Sequence, residues 1–223
     1  MDIKACLLTT AWLLPLVGFA VEIFGGYWSH HAPGGRFKSR LPAYLAVGCI
    51  GSGFLLSLSA LLIGISDLDL SLWDHHETEH AAQFAVADQA ANPAASKPGY
   101  VSGQLYELAR FGDLRIAIDY YIDSLTLVMF TMVTLIATCI TVFAIGYMDD
   151  EREEDHVDHE VHMADGSHLH RPGRFYRFFA YLSLFCFSML GLVLAGNIFM
   201  VFVFWELVGI CSYLLIGFYV ERH

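Results

Sequence analysis

The feature that most constrains this chain is the spacing of its charged residues. Four long stretches contain no Asp, Glu, Lys or Arg, and they hold 17, 26, 25 and 28 residues: 5–21, 41–66, 124–148 and 178–205. A helix needs roughly 20 apolar residues to cross a hydrocarbon core about 30 Å thick. The last three stretches are long enough, and the first fits if Glu22 lies at the interface. The sequence therefore predicts a polytopic membrane protein.

The composition excludes other classes of protein. Only 16% of the 223 residues are charged and 56% are hydrophobic, whereas about a quarter of a soluble domain is charged. So much apolar surface also excludes a disordered chain. The net charge is −11 and there is no basic stripe, so nucleic acid is not an expected partner. The five cysteines lie in separate apolar segments, which argues against a disulfide framework or a zinc site.

The apolar segments predict five spans. The stretch 178–220 would form a helix about 65 Å long, twice the bilayer thickness, so it must turn, and Ala195-Gly196-Asn197 is the best turn. The first segment resembles a secretory signal but is longer than the usual apolar core of one, so a retained span is favoured. The fold class is an all-α polytopic membrane protein with a small extramembrane β-hairpin. The spans are Ala5–Phe24, Leu41–Ile65, Leu125–Met148, Phe178–Leu194 (extended by Phe175 and Tyr176) and Ile198–Val220.

The spans divide the chain into five parts, and the basic residues orient it. The parts are 1–66 with two spans, 67–122 with an extracytoplasmic loop, 123–148 with the third span, 149–174 with a cytoplasmic loop, and 175–223 with the last two spans. Eight Lys and Arg lie after the first span, after the third span and after the fifth span, which are all on one side of the membrane, and only four lie on the other side. The excess of positive charge predicts an outside N-terminus and a cytoplasmic His223 end.

Two polar loops carry patterns of their own. In residues 105–122, apolar and polar residues alternate around Gly112-Asp113, which predicts a β-hairpin. The hairpin could be a docking element or a simple lid over the helix ends, and the sequence favours neither. Residues 149–171 hold nine acids and five histidines, with His156, His159 and His162 spaced three apart. This spacing could bind zinc or nickel loosely. A solvated acidic insertion without fixed structure is favoured, because the segment lacks cysteine and apolar support.

Glu206 is the candidate site residue, because it is the one charge within the last long apolar stretch. An intramembrane carboxyl is costly unless it faces the bundle interior or a wet cavity, and it is a functional candidate by default. Tyr213 and Ser212 could join it in a water chain. The alternative is a neutral packing residue hydrogen-bonded between helices. Glu22 lies at the end of its segment, which predicts an interfacial position.

Two runs near the C-terminal end carry a specific resemblance. Arg177–Asn197 reads R-F-F-A-Y-L-S-L-F-C-F-S-M-L-G-L-V-L-A-G-N, and Phe204–Phe218 reads F-W-E-L-V-G-I-C-S-Y-L-L-I-G-F. With D-S-L-T-L-V-M at Asp123–Met129 and I-G-Y-M at Ile145–Met148, they resemble subunit L of proton-translocating NADH–quinone oxidoreductase, respiratory complex I. The resemblance covers nearly the whole chain, and it includes a hairpin before Asp123.

The resemblance implies that Glu206 transfers protons, pairs with a lysine on a later helix and couples quinone chemistry to proton movement. It implies no cofactor and no metal in this chain; quinone, NADH, flavin and iron–sulfur clusters are expected in other subunits. The expected partners are the other membrane-arm subunits and the lipid bilayer of the inner (cell) membrane. The insert at 149–171 is longer than the loop usual in that family.

Family members carry many more spans than the five before His223. We therefore expect an N-terminal part, whether a fragment, a truncation or one product of a split gene. Two alternatives remain open. The chain could be an antiporter-like subunit of a cation/proton antiporter, a membrane hydrogenase or an inorganic-carbon uptake complex. It could also be a structural piece without transport activity.

Overall fold

The computed structural model describes residues 2–30, 40–82, 100–112, 114–152, 156–162, 168–171 and 173–219. Five long helices dominate these residues, and each contains a segment long and apolar enough to cross a membrane. The expected fold class, helical with five spans and a small antiparallel hairpin, is confirmed. The helices are α1 (Ile3–His30), α2 (Leu41–Ala82), α3 (Ser124–Tyr147), α4 (Phe175–Leu194) and α5 (Ile198–Ile216).

Contacts at the two ends of the helices show an up-and-down arrangement. At one end, Lys4 near the start of α1 forms an ion pair of 2.6 Å with Asp67 of α2. At the other end, Arg40 just before α2 pairs at 3.0 Å with Asp149 just after α3. Hydrogen bonds from Arg152 and Arg40 hold the pKa of Asp149 below its usual range. Successive helices therefore run in opposite directions.

Small and hydroxyl side chains bring the helices close together, as is typical of helix packing in membranes. α1 packs between α2 and α4, α2 also packs on α3, and α4 packs on α5. The hydroxyls of Ser57 on α2 and Thr134 on α3 are 2.9 Å apart and buried. At the centre, Trp12 of α1 stacks on Phe187 of α4 and meets the edge of Phe204 of α5. This aromatic cluster joins three helices.

The predicted hairpin is present and is longer than expected. Strand β1 (Val101–Phe111) pairs antiparallel with β2 (Leu114–Ile122), with register irregularities between Gln104 and Tyr106 and between Glu107 and Ala109. Gly112, in the predicted turn, has φ +61, which glycine adopts without steric cost. β2 leads directly to Asp123, whose carboxylate caps α3 by accepting the Thr126 N–H at 2.7 Å. That hydrogen bond is the main reason the pKa of Asp123 is lowered.

The hairpin is anchored to the predicted turn between α4 and α5. The Gly196 N–H donates to the Asp119 carbonyl at 2.9 Å. The Asn197 side-chain amide donates to the Ala117 carbonyl at 2.8 Å and to the Asp119 carboxylate at 3.0 Å. Its oxygen accepts the Met200 N–H at 2.9 Å and so caps α5. A Cβ on Gly196 would lie 2.8 Å from the Asp119 carbonyl carbon, so only glycine fits there.

The end of the second helix differs from the sequence-based prediction. We predicted that the second helix ends near Ile65, but α2 continues to Ala82; the segment after Ile65 contains neither Gly nor Pro up to that point, so nothing stops the helix where the apolar stretch ends. The sequence predicts a flexible or partly helical excursion at 67–99; the helical alternative is correct for 67–82, and 83–99 lie outside the described residues.

The acidic, histidine-rich insert also has regular structure. After a short 3₁₀ helix at Asp149–Arg152, strand β3 (His156–His162) pairs antiparallel with β4 (His168–Arg171). The expectation of an insertion without fixed structure is therefore wrong for its backbone. Pairing of the two strands gives their backbone N–H and C=O groups hydrogen-bond partners within the chain, whereas those of a solvated loop would bond to water. Residues 153–155 and 163–167 lie outside the described part.

The Asn197 anchor generates a stability prediction. Asn197→Asp retains an oxygen that can cap α5, but it loses both donated hydrogen bonds and places a second carboxylate beside Asp119. We expect this variant to lose about 2 kcal/mol of unfolding free energy, since a hydrogen bond contributes roughly 1 kcal/mol. The measurement is denaturant titration in mixed micelles, with Asn197→Ala as the variant lacking cap and donors. Wild-type stability of Asn197→Asp would show that only the helix cap matters.

Candidate functional site: carboxyls within the spans

The rotation of α5 decides where Glu206 points. Met200, Phe204 and Cys211 are buried, and their spacing of four and seven residues places them on one side of the helix. The Phe204 ring packs over Gly191 of α4, where a Cβ would clash with it. Glu206 follows Phe204 by two residues, about 200° around the helix. It therefore lies on the side of α5 that faces away from the other described helices.

The surroundings of Glu206 agree with that rotation. Glu206 is exposed in the described structure, and the residues above and below it on the helix are exposed as well. Phe202, Ile210 and Tyr213 have 63%, 53% and 77% of their surface exposed. The five helices thus leave the carboxyl on an open apolar face. The expectation that Glu206 faces the interior is not met by these helices alone.

The two side chains expected to form a water chain with Glu206 behave differently. The Ser212 hydroxyl donates to the Val208 carbonyl at 2.8 Å, which is a common use of serine within a helix. Tyr213 lies on the open face, so its hydroxyl is directed away from the described core. Of the two, Tyr213 is on the same side as Glu206.

Within the described spans, Glu22 is the buried carboxyl, with only 3% of its surface exposed. Its interfacial depth near the end of the span Ile3–Gly25 stays a prediction, but the side chain is buried against the neighbouring helices and not exposed. Leu8, Pro15 and Glu22 follow each other at intervals of seven residues and all three are buried, so Glu22 continues the inward stripe of α1. A helical side chain also leans toward the N-terminus of its helix. Here this direction leads away from the nearby interface and into the membrane-spanning part.

The groups around Glu22 come from the two helices that flank α1. A Cβ placed on Gly18, one turn before Glu22, would lie 3.4 Å from the Cys49 sulfur and 3.8 Å from the Ser183 hydroxyl. Cys49 of α2 and Ser183 of α4 therefore approach the turn of α1 over which the Glu22 side chain leans. The sequence analysis missed this cluster. The sequence feature that could have indicated it is Gly18, four residues before Glu22.

The described residues contain no group of three His, Cys, Asp or Glu side chains that could hold a metal ion. Most of the insert's histidine side chains are outside that description, so the weak zinc or nickel hypothesis for the insert stays a hypothesis. The two carboxyls are not brought together either. Glu22 lies among α1, α2 and α4, whereas Glu206 lies on the outer face of α5.

Comparison with known proteins places these features in a family context. Residues 108–156 match the family described as NADH-Ubiquinone oxidoreductase (complex I), chain 5 N-terminus. This segment runs from the hairpin through α3 to the insert. The match includes the two shorter runs that carry the resemblance, Asp123–Met129 and Ile145–Met148, whereas the two longer runs follow the matched segment.

Individual relatives extend the similarity over more of the chain. NAD(P)H-quinone oxidoreductase chain 5 of Synechocystis sp. is 32% identical over 214 residues, which is 95% of this chain and 24% of that protein. The chain 5 protein of Picosynechococcus sp. is 34% identical over 174 residues, 74% of this chain and 23% of the relative. The chloroplastic subunit 5 of Mesostigma viride is 46% identical over 105 residues, 47% of this chain and 13% of the relative.

The chain therefore spans about a quarter of the length of the two cyanobacterial relatives. Together with the five apolar helices, these similarities indicate a multi-pass membrane protein related to complex I chain 5.

Proposed function

We propose that this chain forms the N-terminal membrane part of an antiporter-like subunit of a proton-translocating NADH–quinone oxidoreductase, in which Glu206 takes up and releases a proton. Electron transfer from NADH to quinone would take place in other subunits, which would hold flavin, iron–sulfur clusters and quinone. This chain's own contribution would be proton movement. Its partners would be the other membrane-arm subunits and the lipid bilayer.

The observation that supports this proposal is the open face around Glu206. An ionisable residue at membrane depth is almost always covered by protein or water rather than lipid, and the described helices do not cover Glu206. Its cover must then come from further helices or a partner. The relatives are much longer than this chain, since the matched segment is only about a quarter of each, and this length is consistent with further helices. Tyr213 on the same face supplies a hydroxyl within reach of such an interface.

The physical role of those further helices would be to change the charge state of Glu206. A nearby cation favours the ionised carboxylate, and removing the cation favours the neutral acid. The family resemblance assigns that cation to a lysine on a later helix. Motion of that lysine relative to Glu206 would load and unload the carboxyl. Without such a partner, nothing would drive the change of charge that proton transfer requires.

The relatives favour a quinone oxidoreductase over the related assemblies considered above, because each is a chain or subunit of an NAD(P)H-quinone oxidoreductase. An inactive fragment remains the alternative for the chain by itself, given the quarter of the relatives that it spans. We place the protein in the inner (cell) membrane with its N-terminus outside, on the strength of the basic residues in the loops.

The orientation of the chain in the membrane can be tested at two exposed positions in the described part of the structure. Ser102 lies in β1 and Asp150 lies just after α3, at opposite ends of the helices. In a cysteine-free background, Ser102→Cys should react with a membrane-impermeant maleimide only from outside, and Asp150→Cys only from the cytoplasmic side. Labelling of both positions from the same side would contradict the alternating arrangement, and reversed labelling would contradict the orientation.

The role of Glu206 is tested in the complete assembled enzyme. Glu206→Gln preserves size and hydrogen bonding but cannot ionise, so we expect proton translocation in vesicles to fall on the order of 10-fold or more, with coupled quinone reduction falling too. Glu206→Asp still titrates and should be intermediate. Glu107→Gln is the matched control, because it makes the same chemical change in β1 outside the spans.

Equal assembly of all variants is verified by protein level in the membrane. Pumping at the wild-type rate by Glu206→Gln would show that Glu206 is a packing residue.

A further inference from the structure

The Glu22 carboxyl has an unusual environment for a group that can carry charge. Both of its oxygens are buried, and neither has a hydrogen-bond partner among the described residues. The Ser183 hydroxyl beside it is equally buried and equally without a partner there. Buried polar atoms are nearly always hydrogen-bonded, so two such groups side by side require an explanation.

Gly18 gives the carboxyl its space. The Glu22 side chain leans toward the N-terminus of α1, over the preceding turn. Gly18 occupies that turn without a side chain, and the Cys49 and Ser183 side chains approach it from α2 and α4. The arrangement brings a carboxyl, a thiol and a hydroxyl from three helices into one small region. Glu22 lies three residues before the end of the span Ile3–Gly25.

No cation in the described part of α1, α2 or α4 balances this carboxyl. Lys4 is at the opposite end of α1 and is paired with Asp67. Arg177, in the first turn of α4, is exposed. The titratable group that faces Glu22 from α2 is the Cys49 thiol, and the polar group from α4 is the Ser183 hydroxyl. Burying an ionised carboxylate without a partner is so costly that the group takes up a proton instead.

We propose that Glu22, Ser183 and Cys49 form a second proton-binding site, separate from Glu206, in which the neutral Glu22 carboxyl carries an exchangeable proton. A neutral carboxyl has both a donor and acceptors, and a serine hydroxyl has both as well. A small rotation of either side chain would therefore join the two unpartnered groups. The inference goes beyond the proposed function of Glu206 and does not depend on it.

The donor set fits a proton better than a metal ion. Hard cations such as Ca²⁺ take six to eight oxygen ligands and Mg²⁺ takes six, and this cluster offers the oxygens of one carboxyl and one hydroxyl. A zinc site would need four ligands drawn from Cys, His or carboxylate, and one thiol with one carboxyl falls short. The bound species is therefore the proton itself.

The test is the infrared spectrum of the full chain in lipid membranes at neutral pH, in the region of the carbonyl stretch of protonated carboxyls. We expect Glu22→Gln to remove one such band. We expect the same band of the wild-type protein to shift in heavy water, because its proton exchanges. The amide bands report that the variant is folded, and Glu206→Gln identifies any band from the other carboxyl.

Two serines on α4 test whether Ser183 belongs to the site. Ser183→Ala should shift the Glu22 band, since it removes the nearest hydroxyl. Ser188→Ala should leave the band in place, because Ser188 is equally buried but donates to the Leu184 carbonyl at 2.7 Å. An unshifted band in both variants would remove Ser183 from the site.

Three results would overturn the proposal. If Glu22→Gln retains every carboxyl band of the wild type, Glu22 is ionised. A Glu22 band that stays unshifted after prolonged incubation in heavy water would show a sealed structural acid. Loss of the band when sodium replaces a bulky organic cation in the buffer would show that the site binds a metal cation.

Discussion

The position of the last helix depends on the side chain of Asn197. Its oxygen caps α5, while its amide group ties the start of α5 to two acceptors in the hairpin. One residue thus couples an extramembrane sheet to the beginning of a span. Further along α5, Phe204 packs against Trp12 and Phe187. The anchor and the aromatic cluster together set the rotation of α5, and that rotation directs Glu206 outward.

Fold class, span number, hairpin and the turn at Ala195-Gly196-Asn197 were all predictable from the sequence. Each depends on one-dimensional signals: long gaps between charges, alternation, and residues suited to turns. The end of α2 was not predictable in the same way. The sequence marks where apolar character stops near Ser66, but a helix outside the membrane needs only the absence of breaking residues, and the chain supplies none before Ala82.

Burial of Glu22 was missed for a related reason. In a membrane helix both the lipid-facing and the protein-facing sides are apolar, so periodicity gives little information about which side is inside. The stripe through Leu8, Pro15 and Glu22 becomes visible only when α2 and α4 are packed on it. Glu206 shows the complementary case. Glu206 could be selected from the sequence as a lone charge in an apolar run, but its exposure could not be predicted, because it depends on the rotation of α5.

The two carboxyls therefore differ in the physical problem that each poses. Glu22 is buried among α1, α2 and α4, and no cation in the described part of these helices balances it, whereas Glu206 is exposed on the outer face of α5. The central claim is that Glu206 changes its charge during turnover. The most direct measurement is the reaction-induced infrared difference spectrum of the complete enzyme, started by adding NADH. We predict a carboxyl carbonyl signal that appears in the wild type and disappears in Glu206→Gln; an identical signal in both proteins would contradict the claim.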